Sequence, residues 1–211
     1  MFHMSELLGI SHGLFTFLII MYSIILHEIA HGYAAYIQGD RTAARAGRLT
    51  LNPLPHIDLI GSVIVPFMAF FSLGTFFGWA KPVPYNQYNI KTNTGVAFIA
   101  SAGILTNLLL ALIAGIVFKI LLIQGILTPE LGKAIFTIIS VNVSLAFFNL
   151  IPIPPFDGMA IIEGLFPKVR ITRSYSYNPL FMIGAIIVAS VLYGMFMPGI
   201  IGVISHLLIG G

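Results

Sequence analysis

Two histidines and a glutamate stand in the pattern HExxH, which occupies residues 27–31. On a helix, the imidazoles of His27 and His31 lie one turn apart on the same face and can share a metal ion. The carboxylate of Glu28 is then close enough to act on a water bound to that metal. Zn²⁺ lowers the pKa of such a water from roughly 16 to about 7. The pattern therefore predicts water activation, the chemistry of zinc proteases.

A third ligand is needed, because a catalytic zinc keeps three protein ligands and one open position. The chain has no cysteine, so this ligand must be His, Asp or Glu. Asp157 follows the sequence IPIPP at 151–155, whose prolines interrupt an apolar stretch. A carboxylate at membrane depth is costly unless it pairs with a cation or a metal. Asp157 is the predicted third ligand, and capping of the following helix is compatible with that role.

The composition is that of an integral membrane protein. Hydrophobic residues make up 58% of the 211 and charged residues only 8%, whereas soluble domains carry about 25% charged residues. The net charge of +3 comes from scattered Lys and Arg, without the basic run that indicates nucleic-acid binding. The first thirteen residues contain no Lys or Arg, so a cleaved signal peptide is not expected.

Five apolar blocks divide the chain, at residues 14–37, 57–79, 95–123, 134–165 and 179–209. They predict an all-α integral membrane protein, a polytopic helical bundle of about five to six membrane segments. We expect a single membrane-embedded domain over residues 1–211, with a catalytic core at 14–165 and a C-terminal helical segment at 179–209. The second block predicts a kinked or re-entrant element, because glycines and a proline interrupt it at Gly61, Pro66, Gly74 and Gly78.

Loop charges favour re-entrance for the second block. If this block does not cross the membrane, Lys133 lies on one side and the other basic loop residues share the opposite side. The positive-inside rule then places the shared side in the cytoplasm and the N-terminus outside. In this topology the first and fourth blocks run in the same direction, so that the HExxH motif and Asp157 meet in the cytoplasmic half of the membrane. The residues on the shared side are Arg41, Arg45, Arg48, Lys81, Lys91, Lys168, Arg170 and Arg173.

A second motif, NxxPxPxxDG, is complete in Asn149, Pro152, Pro154, Asp157 and Gly158. Together with HExxH, this motif resembles the site-2 protease family of intramembrane zinc metalloproteases, in the form of its small prokaryotic members. The connecting sequences NPLPHID at 52–58 and GWAKPVP at 78–84 are similar to that family as well. One departure is Ile104, where many relatives carry a proline; it bears on helix geometry. The resemblance covers about residues 14–165, and no PDZ or CBS domain is expected.

The resemblance implies regulated intramembrane proteolysis: hydrolysis of peptide bonds within or near transmembrane segments of membrane-protein substrates. It implies one Zn²⁺ per chain, held by His27, His31 and Asp157, in a multi-pass protein of a prokaryotic cell membrane. Glu28 would take a proton from the attacking water as general base and pass it to the leaving amine. The partners implied are a transmembrane substrate and the lipid bilayer, and the oligomeric state is open.

Two asparagines and one loop complete the predicted active site. Family analogy places Asn149 near the scissile carbonyl, where its amide would bind the substrate or the developing oxyanion. Asn107 lies on a helix predicted to line the same interior and has either a related catalytic role or a structural one. The segment 79–89 is expected to form a gate or a strand-like edge that pairs with an unwound substrate. The sequon at Asn142 is discounted as a glycosylation site, because it lies within an apolar span.

Two other classes of function are compatible with these residues. A metal transporter or channel also places His and acidic residues within a membrane, but its ligands are expected along a path, and it gives no reason for Glu28 to stand beside His27. A noncatalytic scaffold descended from a protease is the second alternative. The intact HExxH motif, together with Asp157 and Asn149, argues against it. Loss of proteolysis with retained zinc in Glu28→Gln would separate the protease from both alternatives.

Overall fold

The structure is a computed structural model that describes residues 4–65, 67–68, 71, 80–166, 168 and 179–209. Within these ranges the chain is helical and contains no strand. Four of its helices are long and apolar enough to cross a membrane, so the protein is a multi-pass membrane protein. The long helices are α1 (Met4–Ile37), α3 (Asn93–Ile123), α4 (Pro129–Leu150) and α6 (Pro179–Ile209), and the short ones are α2 (Thr42–Arg45) and α5 (Asp157–Leu165).

The predicted all-α class is confirmed, and the first, third and fifth apolar blocks each contain one continuous long helix. The fourth block is divided, because α4 ends at Leu150 and α5 begins at Asp157. Prolines between these two helices lack the amide hydrogens that a continuous helix needs. Of the second block, residues 57–65, 67–68 and 71 are described, and they include a π-helical turn at Leu59–Ile64 that the side chain of Asp58 caps. The expected five to six membrane segments therefore stay a prediction.

Side-chain contacts fix the relative directions of the helices that form the site. His27 contacts Asn107, and His31, one turn later in α1, contacts Ile99, which is earlier in α3. Helices α1 and α3 are therefore antiparallel. The end of α3 packs against the beginning of α4, so these two are antiparallel and α1 and α4 run the same way. The buried residues that join α3 to α4 are Ala111, Ala114, Phe118, Ile135 and Ile139.

The C-terminal helix α6 packs on the outside of the α3–α4 pair. Ile204 and Leu208 lie against the buried cluster between α3 and α4. The ammonium group of Lys119, within the apolar helix α3, donates a hydrogen bond of 3.1 Å to the carbonyl of Leu208. The charge of Lys119 is thus satisfied by a helix end, as a cation at the negative end of a helix dipole.

Residues 80–89, here called the strap, connect the second block to α3 and are not helical before the 3-10 turn Gln87–Asn89. At one end, the Lys81 amide donates to the His56 carbonyl at 2.9 Å, and the Arg48 guanidinium donates to the Lys81 carbonyl. At the other end, the buried carboxylate of Asp40 accepts hydrogen bonds from the Asn86 amide at 2.6 Å and the Asn89 side chain at 2.8 Å. The strap is therefore held at both ends against the chain that follows α1. Of the segment 79–89, expected as a gate, residue 79 lies outside the described residues.

Candidate metal centre

Three ligand atoms converge where the second half of α1 meets the first turn of α5. Nε2 of His27 lies 2.9 Å from Nε2 of His31, and Oδ2 of Asp157 lies 3.1 Å from each. Both imidazoles are buried. Ligands at about 2.0–2.2 Å around a tetrahedral zinc stand roughly 3.3 Å apart, so this triangle has nearly the size that one zinc ion requires. In the described part of the chain, these three residues form the group of His, Asp and Glu ligands able to hold a metal.

The remaining ring nitrogens determine where the protons lie. Nδ1 of His31 is 2.7 Å from the carbonyl oxygen of Ile99, and Nδ1 of His27 is 2.6 Å from Oδ1 of Asn107. Carbonyl and amide oxygens can only accept, so each Nδ1 carries a hydrogen, and Nε2 of each imidazole in its neutral form presents a lone pair. Oδ2 of Asp157 is buried and has no polar partner among the described residues other than these two imidazoles. Three acceptors thus face one another, and a cation supplies the attraction that they lack.

Two glycines permit this convergence. A Cβ at Gly103 of α3 would lie closer than 3.0 Å to the ring atoms of His27. A Cβ at Gly158 would lie closer than 3.0 Å to the backbone of Leu150 and Ile151, which cannot move aside as a flexible side chain can. Gly103 therefore lets α3 approach the first imidazole, and Gly158 lets the start of α5 fold back onto the end of α4.

Asp157 lies in the first turn of α5 and is not its cap. The N-cap is Phe156, and no side chain caps this helix. Helix capping by Asp157, which the sequence left compatible with a ligand role, is therefore wrong. Its carboxylate points instead to the two imidazoles.

Glu28 lies beside the triangle and is held by the strap. Its Oε2 accepts a hydrogen bond of 2.7 Å from the backbone amide of Val83. A carboxylate has about four lone-pair sites, so one hydrogen bond orients the group and leaves it able to accept a proton. Sequence reasoning did not identify Val83, because this residue acts through its backbone and its side-chain type carries no signal.

The two predicted asparagines occupy different places. Asn107 is fully buried, and its Oδ1 contacts His27 at Nδ1, on the side of the ring opposite to Nε2. Asn149, near the end of α4, donates from its side-chain amide to the carbonyl of Leu145 in its own helix at 2.9 Å. The structure thus brings Asn107 to the metal ligands and directs the amide of Asn149 to its own helix.

Sequence reasoning missed a further buried asparagine. Asn142 of α4 accepts a hydrogen bond of 2.9 Å from the side-chain amide of Asn107 and donates one of 3.0 Å to the hydroxyl of Ser23. The available signal was a strongly polar residue in an apolar span, which in membranes commonly bonds across helices. It became specific only when the packing showed which side chains Asn142 reaches.

Comparison with known proteins agrees with this geometry. The model of peptidase family M50 matches residues 124–192. YwhC of Bacillus subtilis (strain 168), provisionally named as a zinc metalloprotease, is 36% identical over 165 residues, which cover 74% of this chain and 72% of YwhC. Rip2 of Mycobacterium tuberculosis (strain H37Rv), named in the same way, is 30% identical over 143 residues, which cover 67% of this chain and 53% of Rip2. The chain thus spans about half the length of Rip2. No solved structure matches the chain significantly.

The match to YwhC covers more than two thirds of both chains. The group formed by His27, His31 and Asp157 agrees with the zinc site of the HExxH…D type that the two motifs predicted. The predicted family is thereby confirmed. The chain belongs to peptidase family M50, the site-2 protease family of intramembrane zinc metalloproteases.

Proposed function

We propose that this protein hydrolyses peptide bonds within or near the transmembrane segments of membrane-protein substrates, with His27, His31 and Asp157 as ligands of one Zn²⁺. The observation that carries the proposal is the triangle of three acceptor atoms, each about 3 Å from the others. Without a cation, these lone pairs would repel one another in a buried site. Zinc held there supplies a Lewis acid and a water of lowered pKa.

Glu28 is the general base in this proposal. Its carboxylate adjoins the ligands in sequence, and the amide of Val83 fixes its direction. From this position it accepts a proton from the attacking water and returns it to the leaving amine.

The two asparagines differ in their proposed roles. Asn149 binds the substrate near the scissile carbonyl, by analogy with the family, because its amide keeps a second N–H and an oxygen for a peptide. Asn107 is a positioning residue, since its oxygen contacts a ring nitrogen of His27 that does not face the other ligands. Of the two roles that the sequence left open for Asn107, this contact supports the structural one and not the catalytic one.

The proposed topology has residues 57–79 leaving and returning on one side of the membrane. The hydrogen bond between Lys81 and His56, which flank this stretch, supports it. So does the packing of Ala35, at the end of α1, with Ile90 and Ile99, around the start of α3. By the positive-inside rule this side is the cytoplasmic side of a prokaryotic cell membrane, and the metal site lies in the same half. The packing of α6 against α3 and α4 supports a single domain over 1–211.

The strap is the proposed contact for an unwound substrate. Its residues 80–85 run past Glu28 without belonging to a helix, so the backbone groups there make no helical hydrogen bonds. A substrate segment in extended conformation would add alongside it by main-chain hydrogen bonds and present its peptide bond to the metal.

The experiment is zinc analysis and cleavage of a membrane-embedded model substrate by the purified protein in liposomes. Wild type is expected to bind one zinc and cleave, whereas Glu28→Gln keeps zinc and loses cleavage. Glu130→Gln is the matched control, because Glu130 is an exposed acid in the first turn of α4. A transporter would instead move zinc across the liposome and cut nothing. A scaffold would do neither, and each of these results would reject the proposal.

A further inference from the structure

A row of buried side-chain amides extends from His27 away from the ligand triangle. Oδ1 of Asn107 lies 2.6 Å from Nδ1 of His27, and Nδ2 of Asn107 donates to Oδ1 of Asn142 at 2.9 Å. Nδ2 of Asn142 donates to the carbonyl of Ile138 at 2.9 Å and to the hydroxyl of Ser23 at 3.0 Å. Asn107 is 0% exposed and Asn142 1%, so these amides depend on one another for hydrogen bonds.

The direction in which the Asn107 amide points decides the chemistry of His27. The oxygen and nitrogen of an asparagine side chain have nearly the same shape, so only their partners determine which of them faces the imidazole. With the oxygen there, Nδ1 of His27 must carry the hydrogen, and Nε2 has a lone pair for a metal. With the nitrogen there, the hydrogen would move to Nε2 and oppose a cation.

The backbone of α4 sets this direction through Asn142. The carbonyl of Ile138 can only accept, so it holds Nδ2 of Asn142 and turns Oδ1 toward Asn107. That oxygen in turn needs a donor, so Nδ2 of Asn107 faces it and the Asn107 oxygen faces His27. The hydroxyl of Ser23 can donate or accept and selects neither orientation. The Ser23 carbonyl favours the same orientation of Asn107 through a contact of 3.5 Å, at the limit of hydrogen-bond length.

We propose that Asn142 is a positioning residue for the zinc site. Through Asn107, it selects the tautomer of His27 whose Nε2 is free to bind the metal. This inference rests on the zinc site proposed above. The side-chain hydrogen bonds of Asn142 go to Asn107, Ser23 and Ile138, and none of them goes to a ligand atom of the zinc site. It also explains why a strongly polar side chain occupies an apolar helix.

The test is a double-mutant cycle read as zinc affinity, measured by competition with a chelator on the full-length protein. Asn142→Leu is expected to weaken zinc binding by about 10- to 100-fold, as loss of an outer hydrogen-bond partner does at other metal sites. Asn107→Asp is expected to keep zinc, because a carboxylate accepts from Nδ1 of His27 through either oxygen, and it removes the coupling to Asn142, because it has no N–H to donate to Oδ1 of that residue. In that background Asn142→Leu should cost little. An equal loss in both backgrounds would mean that Asn142 only supports packing, and would overturn the proposal.

Controls separate orientation from folding. Ser144 lies in the same helix, and its hydroxyl forms hydrogen bonds with Ser140 and Tyr193. Ser144→Ala removes that hydroxyl and is expected to bind zinc as wild type does. Ser23→Ala removes one partner of Asn142 without releasing its orientation and should also bind zinc nearly normally. Thermal unfolding of the metal-free proteins reports any loss of fold. If the leucine variant does not fold, Asn142→Ala carries the same test without the bulk of leucine.

A spectroscopic readout addresses the tautomer directly. Nitrogen-15 chemical shifts of the imidazoles in the metal-free protein are expected to place the His27 hydrogen on Nδ1 in wild type. In Asn142→Leu they are expected to show a mixture of the Nδ1-H and Nε2-H tautomers. An unchanged tautomer in that variant would refute the inference while leaving the zinc site intact. A wild-type protein that binds no zinc would instead refute the zinc site, and this inference with it.

Discussion

The backbone amide of Val83 donates a hydrogen bond of 2.7 Å to Oε2 of Glu28, across 55 residues of sequence. Val83 stands between Pro82 and Pro84, neither of which has an amide hydrogen. Its amide is therefore the one backbone donor that these three residues can offer to the carboxylate. The prolines also hold the strap away from helical conformation, because each biases its predecessor toward an extended one. The strap thus orients the proposed base by its backbone.

Removal of this donor is expected to impair catalysis without loss of zinc. Val83→Pro deletes the amide hydrogen, and a hydrogen bond to a charged group contributes about 1.5–3 kcal/mol. We therefore expect kcat to fall about 10- to 100-fold, with zinc content unchanged. Val83→Ala keeps the amide and reports the loss of the side chain alone. Equal rates for these two variants would show that the hydrogen bond to Glu28 has no part in catalysis.

A methyl group on α3 is expected to displace the first ligand. In Gly103→Ala the new Cβ would lie closer than 3.0 Å to the ring of His27, so the imidazole or the helix must shift. We expect zinc affinity to fall at least about tenfold, as for loss of a supporting contact. Gly115→Ala is the matched control in the same helix, because its nearest neighbour is a Leu208 methyl at an ordinary 3.5 Å. Chelator competition measures both, and wild-type affinity in Gly103→Ala would contradict the close approach.

The metal ligands could be predicted from sequence because they follow from local rules. Helical periodicity places His27 and His31 on one face, and the absence of cysteine and the proline-rich break lead to Asp157. The contributions of Asn142 and Val83 could not be predicted in this way. Asn142 acts because α4 packs beside α1 and α3, and Val83 acts through a group that every residue except proline has. Both depend on tertiary contacts between segments far apart in sequence.

The fold was predictable to the same degree. Hydropathy located the long helices, since each must satisfy its own backbone in a bilayer. It merged α4 and α5 into one block, because both are apolar and hydropathy does not register the break that ends at Phe156. The antiparallel pairing of α1 with α3 required side-chain contacts such as that of His31 with Ile99.

Asp40 is expected to stabilise the strap in a pH-dependent manner. Burial of its carboxylate acts to raise the pKa, but hydrogen bonds from Thr42, Asn86 and Asn89 outweigh burial and hold the pKa below the ordinary 3.8. A carboxyl group with a lowered pKa contributes stability that is fully present above its unfolded pKa. This contribution is lost as the pH falls through the folded pKa.

Asp40→Asn should therefore lower the free energy of unfolding at neutral pH by about 1–3 kcal/mol, since an amide replaces an ionised acceptor. The difference from wild type should begin to shrink as the pH falls below about 4, where the carboxyl group of unfolded wild type takes up a proton, and it should vanish below the pKa of the folded state. Thermal unfolding in mild detergent, followed from neutral pH to below about pH 4, measures wild type and Asp40→Asn. Glu130→Gln, which replaces an exposed acid, is the control. A difference independent of pH would show that the charge of Asp40 does not hold the strap.

Single cysteines are expected to report the proposed topology directly, because the chain has none of its own. Leu54, 70% exposed, and Tyr88, 99% exposed, stand on either side of the second block, and Ile126, 56% exposed, lies between α3 and α4. The hydrogen bond between His56 and Lys81 brings the two ends of that block together. Leu54→Cys and Tyr88→Cys should therefore react with an impermeant maleimide from the cytoplasmic side, and Ile126→Cys from the other. Labelling of the first two from opposite sides would mean that residues 57–79 cross the membrane.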